Sequence, residues 1–376
     1  MNNKTRSTLA AIGLFIVAKS KWVYALLKLT KFGGTLISMA ISLGAYAAFY
    51  GWKFGVALVY LIFVHEMGHL IAAKQKGIAT SPAVFIPFMG ALISLKERPR
   101  SAATEAYLAY GGPLAGLISF LPAVVLYEWN GDPFWALVVY LGALINLFNM
   151  LPISPLDGGR IVSVLSTKIW LVGLLILVAV ILVTRTSPLM YLVLLIGAFT
   201  WWNRAREGFR ASILSYEREK LGAFRSMIAD WPSLTSTYEL KAMIASDLKI
   251  AQEHAAGDRK WSIPFLHDRE KYARDTAKID LFYGERTLRL LQEWEHQPVQ
   301  YEDGDASRPI PSPLLSRADR EIGSRSEQVD EELKRYRTYY VAPNALKWKV
   351  LAAYLALAGV LSYFMIYGFR IMELHR

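Results

Sequence analysis

Apolar runs long enough to cross a bilayer decide what this chain can become. A spanning helix needs roughly 20 mostly apolar residues. Such runs stand at about 33–50, 54–73, 103–127, 134–151, 168–184, 187–202 and 347–368. Charge is kept apart from them: residues 33–203 are almost free of acidic groups, whereas 204–346 are dense in Arg, Lys, Glu and Asp. With 54% hydrophobic and 19% charged residues, that segregation reads as a membrane part followed by a polar part. The expected fold class is an all-α polytopic membrane protein with about six spans before the polar domain and one after it. After Asp157, "GGRIVSVLSTKIW" is expected to extend the fourth span towards Lys168.

The expected domains are an N-terminal interfacial segment at 1–32, a membrane domain at 33–203, a helical domain at 204–346 and a C-terminal span with its tail at 347–376. Within the first, "KWVYALLKLTK" mixes Lys with Trp, Tyr and Leu, as a helix lying among headgroups does. Thr8–Ala18 has the apolarity of a signal core, but Ala18-Lys19-Ser20-Lys21 is a poor cleavage site. In the polar domain, "YELKAMIASDLKIAQEHAAG", "DREKYARDTAKIDLFYGERTLRLLQEWEH" and "SEQVDEELKRYRTYY" read as helices. "QPVQYEDGDASRPIPSP" reads as a linker.

The formal charge is +11. The basic residues cluster at the ends of apolar runs, as orientation signals do, and no compact basic stripe points to nucleic acid. Lys4, Arg6, Lys19, Lys21, Lys28 and Lys31 precede the first span, and Lys74, Lys76, Lys96, Arg98 and Arg100 follow the second. The alternate loops carry Lys53, none, and Arg185. The expectation is a multi-pass protein of the cell membrane, in contact with the lipid bilayer, with its N-terminus, the 74–102 loop and the 204–346 domain in the cytoplasm. Cysteine is absent, which removes disulfides, thiolate metal sites and cysteine nucleophiles.

Between the second and third spans lies "PAVFIPFMGALISLKERPR", apolar but broken by Pro82, Pro87 and Gly90. Two short strands around Pro87–Gly90 are expected to dip into the membrane domain. Non-helical backbone at that depth requires protein or a watery cavity to satisfy it.

His65-Glu66-Met67-Gly68-His69 lies inside the second apolar run. Ionisable groups at mid-bilayer carry a penalty of roughly 2.5–3.5 kcal/mol each on insertion scales, so a non-functional trio is hard to sustain. Residues four apart on a helix share a face, so His65 and His69 can bind one ion, with Glu66 able to reach a water on it. This is the H-E-x-x-H arrangement of zinc metalloproteases. A catalytic zinc takes about three protein ligands. For the third, Glu105 and Glu128 sit at span ends, while His254, His267, His296 and His375 fall outside the apolar runs. Asp157, in "NMLPISPLDGGR", is expected at the depth of the histidines from the Lys/Arg orientation alone. The alternative for Asp157 is a helix cap after Pro155.

With these motifs the chain resembles the site-2 proteases, intramembrane zinc metalloproteases. His65-Glu66-Met67-Gly68-His69 is one match. Asn149-Met150-Leu151-Pro152-Ile153-Ser154-Pro155-Leu156-Asp157-Gly158 fits the family's N-x-x-P-x-x-x-L-D-G. Gly111-Gly112-Pro113-Leu114-Ala115-Gly116 is similar to its G-P-x-x-G/N turn. The resemblance spans roughly residues 33–170 and implies a site-2-protease-like core. It implies zinc held by His65, His69 and Asp157, Glu66 as catalytic base, and hydrolysis of a peptide bond in or near the transmembrane segment of a membrane-anchored protein substrate. The Ala83–Leu95 stretch looks like the family's re-entrant β element, with Phe88 and Gly90 as substrate contacts; a hydrophobic hairpin that only plugs the fold is the alternative. Asn146 and Asn149 face one way and are candidates to bind a substrate carbonyl, or else an inter-helix hydrogen bond. Gly111, Gly112 and Gly116 read as close-packing positions.

No PDZ or CBS domain is visible. The 204–346 domain is open to a regulator, a substrate or a second copy of the chain. A scaffold that keeps the fold would have lost Glu66 or a ligand, and neither is lost. A metal transporter would spread polar groups over paired repeats.

Overall fold

The computed structural model describes residues 33–183, 188–231, 237–256, 264–297 and 312–375. The 1–32 segment, Arg185 and most of the 297–313 linker lie outside the described residues. Contacts divide the chain into two compact units: residues up to Trp202 together with those from Tyr340 onward, and Asn203–Tyr339.

The first unit is built on α1 (Gly33–Tyr50), α2 (Trp52–Gln75), α3 (Ala102–Asn130), α4 (Pro133–Asn149), the short α5 (Asp157–Val162), α6 (Ile169–Val183), α7 (Pro188–Ala205) and, after the polar unit, α12 (Asn344–Leu374). Among the described residues, α1, α2, α3 and α12 are long and apolar enough to cross a membrane, and α4 and α6 are apolar but shorter. This is a multi-pass membrane protein. The ends of the helices follow from sequence. Ser101 caps α3 through its Oγ, which accepts from Thr104 N at 3.2 Å, and Gly131 ends the helix at φ 65°. Asp132 caps α4 ahead of Pro133, its Oδ1 accepting from Phe134 N at 2.9 Å.

The fourth span does not run on to Lys168. It stops at Asn149, and Asp157 opens a separate helix of six residues. Pro152 and Pro155 explain the break, since proline lacks the amide proton and biases the residue before it away from helical backbone.

The core of this unit gathers Leu61 of α2, Phe120 of α3, Val139 and Ala143 of α4, Ile161 of α5 and Leu357 and Leu361 of α12. Helices α2 and α3 meet at a glycine pair: a Cβ on Gly68 would lie 2.1 Å from Gly111 O, and one on Gly111 2.6 Å from Gly68 O. Two backbones approach this closely only where side chains are absent.

The stretch between α2 and α3 forms an antiparallel hairpin of β1 (Val84–Ile86) and β2 (Gly90–Leu92), with Val84 opposite Leu92 and Phe85 opposite Ala91. The outer edge of β1 is occupied by α1. Thr35 Oγ1 donates to Ala83 O (2.6 Å), Phe85 N donates to Ser38 Oγ (3.1 Å) and Phe88 N donates to Tyr46 Oη (2.9 Å). Protein hydroxyls thus satisfy backbone that a helix would have satisfied internally. The Phe85 N–H points to α1 rather than to β2, so its partner Ala91 turns its own N–H and C=O away from β1, and β2 carries the outward edge. Ala83, Phe85, Ala91 and Ile93 pack inward, with Val59, Ile62 and Phe63 of α2.

The second unit consists of α8 (Glu207–Asp230), α9 (Tyr238–Ala255), α10 (Asp268–Glu295) and α11 (Pro313–Thr338) around Leu221, Phe224, Trp231, Leu248, Leu291, Ile322 and Val329. Helix α11 begins well before the expected "SEQVDEELKRYRTYY", because Pro313 is preset for a first helical position after Ser312. Inside this unit Glu217 is buried. It accepts two hydrogen bonds from Arg325 (2.8 and 2.9 Å) and one from Tyr283 Oη (2.9 Å). Burial, and then the Glu217 carboxylate, push the Tyr283 phenol up to about 12, so it remains a donor. Arg325→Met would leave that carboxylate with Tyr283 as its neutral donor. The expected loss in stability of this unit is about 2–3 kcal/mol. This is below the ~3–5 kcal/mol of a fully buried pair, since Arg325 is itself partly exposed. Hydrogen exchange over α8 and α11 in the intact protein measures it.

Candidate metal centre

The apolar helix α2 carries His65, Glu66 and His69 through the bundle. His65 is 5% exposed and Glu66 9%. Four residues apart, the two imidazoles stand on one face, their ring centres 4.9 Å apart. Asp157, 7% exposed, opens α5, and its Oδ2 lies 3.1 Å from His65 Nε2 and 3.2 Å from His69 Nε2. The two Nε2 atoms are 3.2 Å apart. Among the described residues these three form the group whose ligand atoms converge closely enough to hold a metal ion.

The outer nitrogens are engaged as well. His69 Nδ1 is 2.8 Å from Leu108 O, and His65 Nδ1 is 2.7 Å from Asn146 Oδ1. Both partners only accept, so the imidazole protons lie on Nδ1, and both Nε2 lone pairs face the Asp157 carboxylate. Two lone pairs and an anion directed at one point call for a cation. The triangle also has the right size: tetrahedral bonds of about 2.0–2.1 Å from zinc place ligand atoms about 3.3–3.4 Å apart. The residues present fit zinc.

Helix α3 leaves room for this group. A Cβ on Gly112 would lie 2.3 Å from His69 Nε2 and 2.8 Å from His65 Nε2. Arg160, one turn after Asp157, places Nη1 3.6 Å from Asp157 Oδ1 and donates from Nε to Glu105 Oε1 at 3.2 Å. The loop carrying Asp157 is tied from two sides: Trp170 Nε1 donates to Gly159 O (2.8 Å), and Tyr354 Oη of α12 donates to Met150 O (2.5 Å).

The structure thus brings together His65, His69, Glu66 and Asp157. Glu105 joins through Arg160 rather than to the imidazoles, and Glu128 bonds Tyr367 Oη at 2.6 Å. Asn146 is 1% exposed, and its amide is engaged by His65 and by Gly142 O. Asn149 is half-buried, its Nδ2 donating to Ile145 O at 3.2 Å. Phe88, 49% exposed, and Gly90 sit at the hairpin turn with φ 64° and 99°, and the Phe88 ring packs on Tyr46 and Phe49. Arg160 carries no signal of its own in the sequence, although it stands three residues beyond Asp157, because the run there reads as continuous span. Tyr354 carried no signal, being one of several tyrosines in an apolar helix.

Residues 53–131 match the family model of Peptidase family M50. That segment is similar to the M50, or site-2 protease, family. The M50 family implies a membrane metalloprotease. The match holds His65, Glu66, His69 and the Gly111–Gly116 stretch, and it ends before Asn149 and Asp157. The third corner of the site therefore stands on its geometry. No curated protein matches the chain significantly.

Gly112→Ala would drive a methyl into both imidazoles. The expected result is at least a roughly tenfold drop in zinc affinity with helical content unchanged, read by metal analysis and circular dichroism on the same preparation.

Proposed function

We propose that this protein is an intramembrane zinc metalloprotease. Its substrate would be a membrane-anchored protein, cleaved in or near the transmembrane segment. The observation that carries the reading is the convergence of His65 Nε2, His69 Nε2 and Asp157 Oδ2 within 3.2 Å of one another, with Glu66 adjacent, inside an apolar helical bundle. Zinc held there would supply a Lewis acid for the scissile carbonyl and bring the pKa of a water to about 7.

Glu66 takes a proton from the attacking water and returns it to the departing amine. Its place on α2 suits this task. It follows Ile62 and Phe63 by four and three residues, so it continues the helix face that packs under the hairpin, while His65 and His69 face α3 and α5. A substrate helix has its carbonyls paired internally and must unwind before one can be attacked. The outward edge of β2, at Ala91, is suited to hold such an unwound segment by main-chain pairing, and the exposed Phe88, Met89 and Leu92 offer apolar contact. Asn149 is the remaining polar candidate for a substrate carbonyl. The positive-inside asymmetry supports a cytoplasmic placement of the 74–102 loop and the polar unit. A regulator or a second copy of the chain would have the polar unit as its contact surface.

Two substitutions test the assignment. Glu66→Gln keeps the shape and ligand set but removes the base, so zinc content should stay near wild type while cleavage of a co-expressed membrane substrate disappears; cleavage by this variant would refute the base. Asp157→Ala opens the ligand triangle, and both zinc content and cleavage should fall. Full zinc occupancy there would remove Asp157 from the set.

A further inference from the structure

We infer that Asn146 is a positioning residue for the metal site: its side-chain oxygen holds the Nδ1 proton of His65 and so aims the Nε2 lone pair inward. The inference rests on the zinc reading above and takes Asn146 out of the substrate-contacting set.

Three observations define the arrangement. Asn146 Oδ1 is 2.7 Å from His65 Nδ1. The opposite end of the amide is fixed, because Asn146 Nδ2 donates to Gly142 O at 2.7 Å, one turn earlier on α4. A carbonyl accepts only, so the amide cannot be turned round, and the group presented to His65 is an oxygen without a proton. The shared proton therefore belongs to His65 Nδ1. A neutral imidazole has a single N–H, which leaves Nε2 as a lone pair. Such outer partners of metal-bound histidines fix the tautomer and ring orientation and raise the basicity of the ligand nitrogen.

The third observation is the space reserved for this amide. A Cβ on Gly116 would lie 1.9 Å from Asn146 Oδ1 and 2.3 Å from its Cγ and Nδ2. Gly112 and Gly116, one turn apart on α3, thus have linked tasks: the first admits the imidazoles, and the second admits the group that orients one of them. His69 reaches the same tautomer through a backbone acceptor, Leu108 O. Among the described residues, the partner of His65 Nδ1 is not a helix carbonyl but a side chain from α4.

A merely structural role for Asn146, packing and the bond to Gly142, is separable from this one. Asn146→Leu and Asn146→Asp both lose the donor to Gly142, but only the leucine loses the acceptor for His65. The full-length proteins, purified in detergent, are titrated with zinc against a chromophoric chelator. Asn146→Leu should bind zinc about 10- to 100-fold more weakly, while Asn146→Asp stays close to wild type. Nitrogen NMR of histidine-labelled, zinc-loaded protein should find a protected His65 Nδ1–H in wild type and Asn146→Asp. Equal weakening in the two variants, or wild-type affinity in Asn146→Leu, overturns the inference and leaves the zinc reading standing. Wild-type protein that binds no zinc overturns both. If Asn146→Leu does not fold, the aspartate variant decides alone: near-wild-type affinity supports the acceptor role, and a tenfold loss overturns it.

Discussion

Two imidazoles and a carboxylate can share the interior of an apolar bundle only if every polar atom among them has a partner. Here the outer nitrogens have theirs: Asn146 Oδ1 for His65 and Leu108 O for His69. The inner atoms have one another and the point they face. Much of the surrounding construction follows from that requirement. Helix α3 presents glycine where the rings and the asparagine amide need room, α4 contributes the amide, and a proline-broken turn delivers Asp157 on a helix of its own. A straight continuation of α4 past Asn149 would have placed Asp157 about twelve ångströms farther along its axis. The break is therefore part of the site.

The same accounting governs the hairpin. Strand backbone in an apolar unit needs partners that a helix finds within itself. α1 provides them with Thr35, Ser38 and Tyr46, which meet Ala83, Phe85 and Phe88. Those hydroxyls occupy the β1 side of the hairpin, and the backbone of Ala91 on β2 faces the other way.

The site was legible where chemistry breaks the apolar pattern. His65, Glu66 and His69 interrupt a hydrophobic run at a spacing that shares a helix face, and the orientation of spans brought Asp157 to their depth. What escaped was the identity of partners. Asn146 and Asn149 are three apart and look alike in sequence, yet Asn146 meets His65 while Asn149 turns back to Ile145 O. Which of them reaches the imidazole depends on how α4 is rotated against α2, and that is set by packing among Leu61, Phe120 and Gly142 rather than by any local motif. The break after Asn149 was present as Pro152 and Pro155 but was outweighed by the apolarity of the residues beyond. The helix at Pro313–Thr338 was foreseen only in its charged half, because its first turns lie in a proline-rich composition that also describes a linker.

The order of elements along the chain bears on how the site is completed. Helix α12 follows the polar unit in sequence, yet Leu357 and Leu361 lie in the same core as Phe120, Ala143 and Ile161, and Tyr354 donates to Met150 O at the turn that leads to Asp157. That turn must hold the carboxylate within a few tenths of an ångström for three ligands to meet at one point. A chain that ended after α7 would lack both the packing under α4 and the hydrogen bond on that turn. The polar unit is therefore an insertion between parts of one folding unit, not an appendage to a finished one.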